Sequence, residues 1–400
     1  MSLFFEVVSV DEAIEVVRKI APPPGCEDVL LKDAFHRVLA KDVHADIDIP
    51  GFDRSTVDGY AVIATETTGA SEAIPTMLQC RGQVAMGSIN AGNIAPGSCW
   101  YVPTGGALPA GADAVVMLEH AERIGDDVLV HRPVAPGENV ISRGEDFRTD
   151  DVILERGRVL SPRDIGVAAA VGADRVSVAT MPVAGIISTG NELVPVTERP
   201  GPGEVRDANS SLAGAFVTER GCHPVYFGII RDDRAALKQA VASALERCDV
   251  VLISGGSSKD ERDNTASVVA ELGEVLVHGV ALAPGKPTII GTVQGKPVIG
   301  LPGHPASTCV VLTAIVDHLL AVMRGTTVSR RTARARLTQN IHSIRGREDY
   351  VRVTLKGGEA TPIFGKSGLL NTLVQSEGLV RVPASREGFE VGEEVEVILW

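Results

Sequence analysis

Cysteine pairs at metal-ligand or redox spacing are missing from this chain. The six cysteines (Cys26, Cys80, Cys99, Cys222, Cys248, Cys309) are scattered, with no C-x-x-C. Buried free thiols are therefore expected rather than a disulfide framework or a zinc site. Basic charge is also short: Lys plus Arg total 38 against 51 Asp plus Glu, a formal net charge of −13. Binding to nucleic acid or to an anionic membrane needs a basic surface, so both partners are disfavoured. A small anion in a locally positive pocket is not. There is no H-E-x-x-H, no Walker A, no G-x-S-x-G and no Cys-His ligand set, which removes the commonest metalloprotease, P-loop and serine-hydrolase readings. No internal repeat, low-complexity segment or coiled coil is visible. The opening M-S-L-F-F-E-V-V-S-V-D-E has no basic n-region and meets acids early, so it is not expected to be a signal peptide. The apolar stretch around Cys309–Val316 reads as too short to span a bilayer. A soluble, reducing, cytoplasmic setting is the expectation.

What is present points to several domains. Four hundred residues exceed one typical domain, and 42 glycines with 23 prolines favour many turns and short strands. Helical spacing of Ala13, Ile14, Val17 and Ile20 predicts a helix over 10–20, ended by Pro22-Pro23-Pro24-Gly25. A second helix is expected over 29–39. From Asp46 to Asn139 short apolar runs broken by Gly and Pro read as a small β-rich unit. Pro162 suits the first turn of a further helix, over 162–171. From Val176 strands at 183–187, 225–229 and 250–253 alternate with helices at 210–220, 234–247 and 265–272. That pattern implies a mostly parallel sheet with right-handed crossovers. Short strands at 288–290 and 297–299 and a long apolar helix over 306–322 follow, and the texture after Arg324-Gly325 is β to Trp400.

The stretch 250–263, V-V-L-I-S-G-G-S-S-K-D-E-R-D, organises the chain. A continuous apolar run of this kind suits a strand buried on both faces. Gly255 and Gly256 then allow a tight turn and close approach to a ligand. Successive N–H groups beside Ser254 and Ser257 can form a concavity for phosphate. The alternative is an ordinary strand-to-helix turn with a solvated charge run. Ser188-Thr189-Gly190-Asn191-Glu192 follows another strand, so it falls at the same sheet edge, and Glu192 there can hold a cation; a simple capping turn is the plainer reading. Lys286, between Pro284-Gly285 and Pro287, is presented on a stiff backbone and suits an oxyanion as a point charge. Pro302-Gly303-His304 opens the last helix, where N–H groups and the dipole favour an anion. His304 by itself is also consistent with a packed or solvated histidine. Far upstream, Asp53-Arg54-Ser55-Thr56-Val57-Asp58-Gly59-Tyr60 is either a polar loop or a cluster of catalytic groups.

Taken in order, S-T-V-D-G-Y-A (55–61), T-G-G-A-L-P-A-G-A-D-A-V-V-M (104–117), G-E-D-F (144–147), S-T-G-N-E-L (188–193), S-G-G-S-S (254–258), P-G-K-P (284–287) and G-L-P-G-H-P (300–305) resemble the MoeA family of molybdopterin molybdenumtransferases, relatives of the gephyrin E domain. The likeness spans nearly the whole chain. It implies a multidomain α/β fold: an elongated helical segment from 1–45 and 144–175, a β-rich unit over 46–143, an α/β molybdopterin-binding domain with a mostly parallel sheet over 176–326, and a C-terminal β-barrel over 327–400. It implies insertion of molybdate into adenylylated molybdopterin with release of AMP, using Mg²⁺, in a homodimer whose site is shared between chains. By motif position, Asp58, Thr104, Glu192, Asp263 and Lys286 would be catalytic, with Glu192 and Asp263 holding the cation. Ser188, Thr189, Gly190, Ser254, Gly255, Gly256, Ser257, Pro302, Gly303 and His304 would line the molybdopterin site. The chain departs from the family pattern at Asn191, His304 and Ala283, where the family often has Asp, Asn and Lys, and in the loop S-G-G-S-S-K-D. A missing cation at Ala283 leaves open a different oxyanion such as tungstate, or compensation by His304 or Lys259. A non-catalytic scaffold is the rival class; the intact Asp58, Glu192 and Asp263 favour catalysis.

Overall fold

The computed structural model describes residues 7–88, 92–255 and 264–400. The expected site residues Gly256, Ser257, Lys259 and Asp263 lie outside these residues.

The site is built on a six-stranded mixed sheet in the order His223–Ile230, Val183–Thr189, Val250–Ser254, Lys296–Leu301, Ile289–Val293, Glu274–His278. The first four strands are parallel; Ile289–Val293 pairs antiparallel with both Lys296–Leu301 and Glu274–His278. Alternation along the fully buried run 250–253 feeds two cores. Val250 and Leu252 join the cluster under the helices Asn209–Glu219 and Pro305–Met323, while Val251 and Ile253 face the helices Arg234–Arg247 and Asn264–Leu272. This two-sided burial is why the strand reads as a continuous apolar run.

The helix Val10–Ile20 forms as its spacing dictates, with a Ser9/Glu12 capping box at its start. Its buried face, Val10, Ala13 and Val17, packs into the α/β core beside Leu319 and Leu320. Strands from the two stretches around the β-rich unit do meet: Cys26–Leu30 pairs antiparallel with Arg175–Ala179. They enclose a small core of their own that includes Leu31, Leu39, Leu160 and Val178. The helix expected over 29–39 is not there. Residues 26–30 are a strand and Leu31–Asp33 a single 3₁₀ turn, because the backbone groups of this segment bond across to 174–179 rather than along the chain. Between these stretches lies a six-stranded sheet in the order Ala114–Met117, Gly59–Val62, Ser98–Val102, Thr76–Gln83, Asp127–Val130, Ala121–Ile124.

The C-terminal strands Glu348–Lys356, Glu359–Pro362, Thr332–Leu337, Glu394–Leu399 and Gly378–Val382 close into a five-stranded barrel. It is tied to the α/β domain by a two-residue strand, Leu282–Ala283, parallel to Glu348–Asp349. All six cysteines are free, with Cys99, Cys222 and Cys248 buried and Cys26 exposed. The helix Pro305–Met323 is in fact long and apolar enough to cross a membrane, but 83% of its apolar window is buried inside the protein. Its length comes from one continuous helical run through the Leu312–Val316 π turn.

Candidate active site

Three parallel strands end in step: Ser188 is the register partner of Ser254, and Ser254 of Leu301. Their following loops therefore open at one sheet edge, the place where open α/β sheets bind ligands. A cleft of about 750 Å³ lies there, lined by Glu192, Gly255, Lys286, Pro302, Gly303 and His304. The structure thus gathers into one cavity residues that are distant in the chain, Glu192 and His304 being 112 positions apart (304 minus 192).

Each wall has a local cause. Gly255 adopts φ +96°, and a Cβ there would stand 2.0 Å from the Thr189 carbonyl oxygen, so only glycine fits. The Lys286 turn is braced from behind: its carbonyl accepts from the N–H of Val280 and of Thr288, both at 2.9 Å. The Thr288 hydroxyl also donates to the Gly285 carbonyl at 2.7 Å. The ammonium of Lys286 is left exposed, with no partner among the described residues. The Gly303 and His304 N–H groups likewise carry no hydrogen bond among the described residues. Neighbouring N–H groups of this kind suit an anion.

The barrel supplies a wall that the sequence did not announce. Arg345, Gly346, Arg347 and Ser367 line the same cleft. The Ser367 hydroxyl lies 2.9 Å from His304 Nδ1, and its carbonyl accepts from the Ala306 N–H. His304 is therefore pinned between domains. Arg347 pairs with Asp349 at 3.2 Å, and Arg345 pairs with Glu387 at 3.3 Å across an exposed edge. Asp349 and Glu387 offset the two arginines, so Lys286 is the lining cation left without a partner among the described residues, on the same cleft as Glu192. The only legible hint was two arginines flanking a glycine at 345–347. Nearby, burial pushes the Cys309 thiol up to about 11, which keeps it neutral and unreactive.

Other expected residues sit differently. Ser188 and Thr189 are buried beneath the loop rather than on the cleft, since they still belong to the strand Val183–Thr189. Gly190 faces a neighbouring groove of about 1180 Å³. Asn191 and Asp232 clasp each other, each backbone N–H donating to the other side chain at 3.2–3.3 Å, so Asn191 braces the loop. Ser254 is buried and hydrogen-bonded to Asn209 at 2.7 Å. Asp58 and Thr104 do come together: Asp58 Oδ1 accepts from the Thr104 N–H at 2.7 Å and its hydroxyl at 3.0 Å. Neither lines the cleft. Among the described residues no group of three or more His, Cys, Asp or Glu forms a metal cage.

Sequence comparison covers the same ground. The chain matches the MoeA N-terminal region (domain I and II) over residues 8–172, the probable molybdopterin binding domain over 185–321, and the MoeA C-terminal region (domain IV) over 334–400. The chain belongs to the MoeA family. A Methanocaldococcus jannaschii protein, provisionally named for molybdopterin biosynthesis, is 35% identical over 93% of this chain and 92% of its own length. The Bacillus subtilis molybdopterin molybdenumtransferase is 31% identical over 98% and 94%. A crystal structure of a Pyrococcus horikoshii molybdopterin biosynthesis MoeA protein superposes with a TM-score of 0.89 at 33% identity, covering 99% of this chain and all (100%) of that one. The MoeA assignment accounts for all four structural parts described above, including the barrel that completes the cleft.

Proposed function

We propose that this protein is a molybdopterin molybdenumtransferase: it inserts molybdate into adenylylated molybdopterin and releases AMP. The observation that carries the reading is the glycine-walled cleft at the ends of three parallel strands, with Lys286 exposed on it. Its substrates are both anionic. Lys286, unpaired among the described residues, balances the charge of the phosphates or the oxyanion. Gly255 and Gly303, without side chains, leave room for close approach of phosphate oxygens.

Mg²⁺ belongs to this reading. The Glu192 carboxylate lies on the cleft with no partner among the described residues, and a single free carboxylate fits an ion that keeps most of its waters and otherwise binds substrate phosphates. Glu192 would hold it, together with Asp263 by motif position. When bound, the ion neutralises phosphate oxygens as the anhydride breaks. Asp58 and Thr104 would act from the β-rich unit of a partner chain in a homodimer. A cytoplasmic setting goes with six free thiols.

The test is incubation of the purified protein with adenylylated molybdopterin, Mg²⁺ and either molybdate or tungstate. Oxyanion-dependent AMP release is expected, and its absence with both oxyanions would remove the assignment.

A further inference from the structure

Asn209, the first residue of the helix Asn209–Glu219, is buried among the loops that wall the cleft. Its amide nitrogen donates to Ser254 Oγ at 2.7 Å and to the Gly303 carbonyl at 2.8 Å, and reaches the Pro302 carbonyl at 3.5 Å. Carbonyls only accept, so these contacts fix which end of the amide faces them. The helix itself does not need this side chain as a cap, because Asp207 already accepts from the Ser210 N–H at 3.0 Å. Among the described residues Asn209 Oδ1 is buried with no partner, and so is Ser188 Oγ, the hydroxyl of the residue in register with Ser254. A side chain chosen for folding alone would not leave a buried acceptor unpaired, since that costs free energy.

We propose that Asn209 is a positioning residue for the cleft: its amide locks the Ser254–Gly255 turn to the Pro302–His304 turn and holds two carbonyl dipoles away from the bound anion. The Pro302 carbonyl is drawn the same way by the Thr308 hydroxyl at 2.6 Å. With those oxygens turned inward, the N–H groups of Gly303 and His304, unpaired among the described residues, are left for the turn to present outward. This rests on the reading that the cleft receives a phosphate-bearing substrate.

The test compares wild type with Asn209→Ala and Asn209→Asp by hydrogen–deuterium exchange of the free protein, thermal melting and steady-state AMP release. Faster exchange in peptides covering 300–306 is expected for Asn209→Ala. The KM for adenylylated molybdopterin should rise at least about tenfold while kcat falls no more than about threefold, the signature of a lost binding geometry. Asn209→Asp should be worse, because it sets a carboxylate against two carbonyls and behind an anion site. If Asn209→Asp does not fold, Asn209→Ser, smaller and neutral, carries the same readouts. Unchanged KM in the folded variants, or kcat falling in step with the folded fraction at constant KM, would overturn the proposal. A wild-type protein that releases no AMP would sink the transferase reading instead. In that case unchanged exchange at 300–306 in Asn209→Ala would by itself dismiss the tie between the turns.

Discussion

Asp58 uses one oxygen, Oδ1, for both of its bonds from Thr104 and leaves Oδ2 free among the described residues. Asparagine in its place keeps an acceptor for both bonds and loses only the charge. Asp58→Asn should therefore melt like the wild type while oxyanion-dependent AMP release falls at least about a hundredfold, the scale of a lost acid–base or electrostatic group. Near-normal turnover would take Asp58 out of the site. Glu192 makes a separable prediction. Its carboxylate has no partner among the described residues, so Glu192→Ala should raise the Mg²⁺ concentration for half-maximal activity at least about tenfold, with metal-free binding of the adenylylated substrate little changed. The same shift is expected for Asp263→Ala. An unaltered Mg²⁺ titration in both variants would place the ion elsewhere.

The helix Pro305–Met323 shows what an element adds beyond its residues. A π turn at Leu312–Val316 interrupts its α pattern, and the Thr313 carbonyl is taken up by Arg330 Nη2 at 2.6 Å. Arg330 leads into the barrel, so the helix irregularity and the placement of the barrel are linked. One turn on, buried Asp317 holds Arg220 at 2.7 Å, and His318 Nδ1 accepts from Arg18 of the first helix at 3.1 Å. Burial, with Arg330 and Arg18 adding to it, lowers the His318 imidazole to about 4. A histidine depressed in the folded state binds its proton more readily when unfolded, so stability rises with pH across this window and is lost as pH falls from about 6.5 toward about 4. His318→Asn, which keeps an acceptor for Arg18, should flatten the melting temperature between pH 6.5 and 4 relative to wild type. An identical pH dependence in the variant would assign the acid sensitivity to other groups. None of this was legible in the sequence, where the segment reads as one uninterrupted apolar helix.

At the scale of the whole molecule the Asp58–Thr104 pair and the cleft are separate within one chain: neither residue lines the cavity that holds Glu192 and Lys286. A twofold pairing that lays one chain's β-rich unit over the other's cleft would complete the site, and twofold dimers are the commonest assembly. Two inactive variants, Asp58→Asn and Lys286→Ala, should then complement after subunit exchange. In each mixed dimer one site contains both wild-type halves, so about half of wild-type activity should return. Mixed dimers shown to form and yet inactive would mean that each site is built within a single chain.

The sequence by itself determined the order of the parts and the strand-end loops. Apolar runs at 183–187 and 250–253, each followed at once by Gly and Ser, need a strand buried on both faces and a turn at its end, and local periodicity is enough to see that. It also determined the stiff presentation of Lys286, because the flanking prolines act through covalent geometry. It misread 29–39, whose helical spacing lost to pairing with a strand about 145 residues later, at 175–179. Only the tertiary structure decided that Arg345, Arg347 and Ser367 of the barrel complete the cleft, and that Asn209 ties its turns. Those contacts depend on where the strand Leu282–Ala283 hangs the barrel against the α/β domain. Pairing between segments so distant in the chain is settled by complementary burial and backbone hydrogen bonds, which leave no periodic trace in either segment alone.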